Sequence, residues 1–66
     1  MAMVNGRKIG KMLKEKGIDQ KTMAARVGIG ATMMSYIVTG LKQPSVEVLV
    51  RIAKELDCTV DELINK

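Results

Sequence analysis

The sequence predicts an all-α domain of five short helices, and three observations predict it. Gly17, Gly28 and Gly40 each follow a stretch with apolar residues at helical spacing, where a left-handed residue ends a helix at least cost. Asn5, Asp19, Ser45 and Thr59 stand where helices would begin, and their side-chain oxygens suit the first free backbone amides. No strand pattern competes, because "VEVLV" (46–50) alternates only briefly and follows a capping serine. At 66 residues, a single domain over 1–66 is expected.

The elements follow in order. Asn5 caps the first helix, Ile9, Met12 and Leu13 share one face at i, i+3 and i+4, and Gly17 stops it. Asp19 caps the second, which turns Met23, Ala24 and Val27 inward and ends at Gly28. Gly30 opens the third, a weaker cap for want of a side-chain oxygen; Met34 and Ile37 are its inward pair, and Gly40 ends it. "LKQPS" (41–45) is a turn, since Pro44 cannot continue a helix and Ser45 caps the next. The fourth helix carries an apolar stripe of Val46, Leu49, Ile52, Ala53 and Leu56. The fifth opens with "TVDE" (59–62), where Thr59 and Glu62 make a capping box and Cys58 packs on Leu63. The first residues, "MAMVNGRK", read as a loose end, with an apolar part too short and too early for a signal peptide.

Composition removes several function classes. Forty-seven percent of the residues are apolar but none is Phe or Trp, so Ile, Val, Leu, Ala and six adaptable Met must fill the core. With one Cys and no His, an intramolecular disulfide is impossible and a zinc site would have carboxylates alone. Cys58 reads as a small apolar residue. There is no Ser/His or Cys/His pair and no P-loop, and Asp61 and Glu62 read as first-turn charges favoured by a helix dipole. No enzyme, cofactor, metal or small-molecule substrate is therefore expected. No apolar run approaches the about 18 residues of a membrane span, so no membrane partner is expected; the lone Cys58 fits a reducing cytosol, and a cytoplasmic location is expected. One aromatic, Tyr36, makes no stacking platform for RNA.

Charge is distributed unevenly. Residues 1–44 carry eight Lys/Arg against Glu15 and Asp19, whereas residues 45–66 carry three against five acids, which splits the net +4 into +6 and −2. One end suits a polyanion. Between Arg26 and Lys42 no residue is charged, and this stretch reads as half core (Met34, Ile37, Val38) and half outward surface (Ala31, Thr32, Ser35, Tyr36, Thr39), with Met33 unassigned. Its basic flanks are Lys21, Arg26 and Lys42.

The second and third helices are joined by "VGIG" (27–30), the short glycine-containing turn of a helix-turn-helix unit over about 20–39. Gln20, Met23-Ala24, Gly28, Ser35, Ile37, Gly40, Pro44-Ser45, Leu49, Ala53, Leu56, Asp61 and Leu63 together resemble the Cro/repressor (Xre-type) helix-turn-helix family, over about residues 8–64. The resemblance implies a compact five-helix, lambda-repressor-like domain that binds double-stranded DNA as a homodimer. It implies a sequence-specific transcriptional regulator, in the repressor sense, of prokaryotic or phage origin and nucleoid-associated. The third helix would enter the major groove and touch bases through Ala31, Thr32, Ser35 and Tyr36. Phosphates would be held by Gln20 and Lys21 at the start of the second helix and by Thr39, Lys42 and Gln43 at and after the end of the third. Dimers of the family usually form through the last two helices and their joining loop; here exposed apolar residues near Leu56–Val60 and Ile64 are the candidates.

Two departures stand out. The reading face carries no guanidinium for guanine and no amide for adenine, which leaves methyl contacts from Ala31 and Thr32 to thymine, single hydroxyl bonds, DNA shape and dimer spacing. Tyr36 has two readings, a ring resting on Met33 or a contact to base or phosphate. Where many family members bury an Arg–Glu pair, this chain has Leu13 and Val38. Replacing both partners avoids a stranded buried charge, so the two are expected to touch. A second function class also fits: an interaction module of the same fold that reads no operator and docks a partner helix on Met33 and Tyr36.

Overall fold

Asn5 opens the first helix as its side chain predicts: its Oδ1 accepts from the Lys8 amide at 3.1 Å, and α1 runs Gly6–Lys16. In the computed structural model, which describes residues 3–65, three helices follow, α2 (Gln20–Val27), α3 (Ala31–Thr39) and α4 (Val46–Glu55). Asp19 caps α2 through the Thr22 amide at 2.7 Å and Ser45 caps α4 through the Val48 amide at 3.2 Å, while Gly30 opens α3 with no side-chain bond. Gly17, Gly28 and Gly40 close α1, α2 and α3 at φ 67°, 80° and 83°.

The fifth helix is a correction. The Thr59–Glu62 capping box forms in both directions, with Thr59 N donating to Glu62 Oε2 at 2.7 Å and Glu62 N donating to Thr59 Oγ1 at 3.3 Å. Only a single 3-10 turn follows, Asp61–Leu63. The chain then straightens into β2 (Ile64–Asn65), which pairs antiparallel with β1 (Met3–Val4) in the register Met3↔Asn65 and Val4↔Ile64. Asn5 N extends the pairing by donating to Leu63 O at 2.7 Å. The Leu63 carbonyl, which a continuing helix would have paired with a later amide, accepts from the opposite end of the chain instead. Residues 3 and 4 are accordingly a strand rather than a loose end, and Met1 and Ala2 lie outside the described residues. Two-residue strands are too short to show an alternation.

The core draws on every helix. Ile9 and Leu13 of α1, Met23, Ala24 and Val27 of α2, Met34, Ile37 and Val38 of α3, and Leu49, Ile52 and Ala53 of α4 form one buried cluster closed by Leu56 and Leu63. Met12 and Cys58 are half-buried against it. Val46 does not belong to it; as the first residue of α4 it is 79% exposed, and the buried stripe begins at Leu49. Among the described residues no polar or charged side chain is buried. Leu13 and Val38 are both members of this wholly apolar core, and Val38 faces α1, its Cβ 3.7 Å from where a side chain on Gly10 would begin. At Gly6 the two helices meet still more closely. A Cβ there would lie 2.1 Å from the Ile37 carbonyl oxygen, so only glycine lets α1 start against the end of α3.

Candidate nucleic-acid interface

The helix-turn-helix unit is held from behind by α4. Val27 is the last residue of α2, and its carbonyl is one of those a helix end leaves without an internal partner. Arg51 Nη1 donates to that oxygen at 3.2 Å, and Arg51 Nη2 meets Glu47 Oε1 at 2.6 Å one turn back on α4. The guanidinium lies directly under the turn, 3.3 Å from the position a Cβ on Gly28 would take. Ile29 bonds back to Ala24 O at 2.9 Å and packs on the core, so the turn is fixed from both sides. Arg26 adds an exposed ion pair to Glu55 at 3.8 Å, which turns this basic flank toward α4. Sequence reasoning missed the role of Arg51. The i, i+4 pair with Glu47 is legible, but its reach to Val27 depends on how α2 and α4 cross.

The outward face of α3 is as expected in its main residues. Ala31 and Thr32 are exposed, Ser35 is half-buried, and Tyr36 is 37% exposed. Met33 is half-buried against the core. The Tyr36 carbonyl accepts from Leu41 N at 2.8 Å and Lys42 N at 3.2 Å, folding the loop back over α3. Lys42 Nζ comes to 5.2 Å from the Tyr36 ring centroid, a cation–π contact that joins a base-contact candidate to a phosphate-contact candidate. Thr39 is exposed, but its hydroxyl donates to Ser35 O at 2.8 Å, with Tyr36 O at 3.3 Å as the longer alternative.

At the start of α2, Asp19 takes the amide of Thr22 alone among the first-turn amides, and those of Gln20 and Lys21 have no bond to other described residues. Those two donors, with the Lys21 ammonium, form an anion-facing helix start. The hydrogen bond from the Thr22 backbone holds the Asp19 carboxyl below its ordinary 3.8, helped by the Thr22 side chain and the nearby Lys21 charge. Gln43, on the other flank, accepts at Oε1 from Val4 N at 2.8 Å, so it is anchored to β1 as well as offered to solvent. Burial, with the charge of Glu62 second, pushes the Cys58 thiol above its usual range, in keeping with its role as a small apolar residue. Among the described residues no cluster of His, Cys, Asp or Glu could hold a metal, and no helix is long and apolar enough to cross a membrane.

A family model described as the Cro/C1-type HTH DNA-binding domain matches residues 8–65. The chain belongs to the Cro/C1-type helix-turn-helix family. As a Cro/C1-type domain it is a DNA-binding fold and not an enzyme. Solved structures agree. The P22 c2 repressor in complex with synthetic operator 9T is 28% identical with a TM-score of 0.84, over 88% of this chain and 88% of that one. The biofilm master regulator SinR in complex with DNA is 30% identical with a TM-score of 0.80, over 88% of this chain and 94% of that one. The restriction-modification controller protein C.AhdI from Aeromonas hydrophila, at 24% identity and TM-score 0.82 over 88% of each chain, shares the fold. No curated protein matches the sequence.

Proposed function

We propose that this Cro/C1-type domain is a sequence-specific regulator of transcription, a repressor that reads the major groove of double-stranded DNA with α3 and binds as a homodimer. The observation that carries the reading is the arrangement around α3. Its outward, uncharged side of Ala31, Thr32, Ser35 and Tyr36 has the Lys42 ammonium over the Tyr36 ring, and the helix-turn-helix unit that carries it begins at the free amides of Gln20 and Lys21. Neutral groups would touch base edges while donors at either side grip the backbone, the division of labour that DNA readers use. The P22 c2 and SinR structures, each in complex with DNA, support DNA as the partner. The basic charge of residues 1–44 supports it as well.

The homodimer part draws on residues beyond those expected. Leu56 is 1% exposed, and Val60 and Ile64 pack on the core. Among the described residues Met3 and Tyr36 are also exposed, but the aliphatic side chains left to solvent on and before α4 are Leu41 at 73% and Val46 at 79%, with Val50 one turn beyond Val46. These are the candidates for contact between copies.

Selection from a random duplex library tests the reading, followed by titration of the winner and a scrambled duplex across salt. A palindromic winner bound about 10³-fold above the scrambled duplex is the expected result. Equal binding with a steep salt dependence would reduce the function to nonspecific attachment. Absence of binding at low salt would leave the interaction-module alternative, in which Met33 and Tyr36 face a partner helix.

A further inference from the structure

The groove between the start of α1 and the loop after α3 carries a donor that the interface above leaves unassigned, Arg7, beside Gln43. It measures about 250 Å³ and is lined by Val4, Asn5, Arg7, Thr39 and Gln43 among others, with no Asp or Glu. Arg7 is exposed and makes no ion pair among the described residues. Gln43 is oriented by β1. A backbone N–H can only donate, so the amide oxygen must face Val4 N, and the two protons of Nε2 are the end left over. Thr39, in the same groove, has its hydroxyl proton engaged with Ser35 O and offers only lone pairs. The groove therefore presents a guanidinium and an amide NH₂ with no competing carboxylate, which is chemistry for a phosphate oxygen.

We propose that Arg7 and Gln43 Nε2 together hold one phosphate of the DNA backbone, which makes Arg7 a DNA contact outside the helix-turn-helix unit and takes the place of the contact expected of Thr39. The inference rests on the DNA-binding reading above. The occupant is a DNA phosphate because the groove is continuous with the end of α3 and the loop that carries Lys42. The role of β1 is then to aim an amide.

The test measures binding of the full chain to one fixed duplex and to an unrelated duplex across a salt series. Arg7→Met is expected to weaken both about tenfold at low salt and to lower the salt slope by about 1, and Arg7→Lys to restore the slope. Gln43→Glu keeps an acceptor for Val4 N and removes the donors, so it should weaken binding too, and adding Arg7→Met to it should cost less than in the parent. Lys54→Met, on a face shared with Asp57 and Glu62, should change neither quantity. If the parent binds and Arg7→Met matches it in affinity and slope, the proposal fails while the DNA-binding reading stands. Fully multiplicative effects of the two substitutions would overturn the shared phosphate. A parent that binds neither duplex at low salt would overturn both readings.

Discussion

Tyr36 and Lys42 form the smallest unit of the interface that can be tested alone. The ring is partly exposed on α3, and the ammonium above it belongs to the loop. Tyr36→Leu should alter the bases preferred in a library selection, because it removes both the ring and the perch of Lys42. Lys42→Ala should weaken all sequences alike. Thermal melts of the two variants should fall by no more than the about 0.5–1 kcal/mol of an exposed cation–π contact. Asp19 gives a second residue-scale test. Its folded pKa is depressed, so its contribution to stability is full above 3.8 and is lost as pH falls through the lower native value. Asp19→Asn keeps a capping acceptor without titrating, and should flatten the acid limb of a plot of melting temperature against pH. An unchanged limb would show that the Asp19–Thr22 bond does not persist in solution.

Helix contacts carry the next set of consequences. The start of α1 meets the end of α3 backbone to backbone at Gly6, where a methyl group would collide with the Ile37 carbonyl. Gly6→Ala should cost about 1–3 kcal/mol in urea unfolding, the range for an overpacked site. Arg51 is the brace between α4 and the turn of the helix-turn-helix. Arg51→Met keeps the stem and removes the guanidinium; it should cost about 1 kcal/mol through the Val27 carbonyl. Amide exchange should quicken at Ile29 before it does in α1. The exposed pair with Glu47 adds little to that figure. These contacts also separate what was legible in the sequence from what was not. Asn5, Asp19, Ser45 and Thr59 all cap as expected because each bonds an amide three residues away, a distance the sequence states directly. The Arg51–Val27 bond spans 24 residues and the Val4–Gln43 bond 39, and no local pattern announces either. The missing fifth helix has the same origin: a good cap was outcompeted by a ribbon between distant segments.

For the molecule as a whole, the outward side of α3 was readable as a face because the inward positions, Met34, Ile37 and Val38, are spaced to be buried together, and they are. The choice of residues for contact between copies was not, since Leu56 and Val46 look equally apolar in sequence and exchange roles in the fold, one buried and one exposed. Leu41→Ser combined with Val46→Ser should leave the melting temperature of the single chain nearly unchanged, as neither side chain is in the core. It should shift sedimentation toward the monomer and make DNA binding less steep in protein concentration. If the doubly substituted chain still assembles like the parent, the contact lies elsewhere.

The ribbon of β1 and β2 also fixes how the domain can be joined to anything else. Met3 and Asn65 sit opposite one another, and Val4 is bonded to Gln43 in the loop after α3. The fold thus has a single port. A polypeptide joined before Met3 or after Asn65 would leave from the same side of the fold, where β1 meets Gln43. For fusion design, rigid tags at the two ends would crowd one another and the Gln43 loop, and a long flexible tether would relieve this.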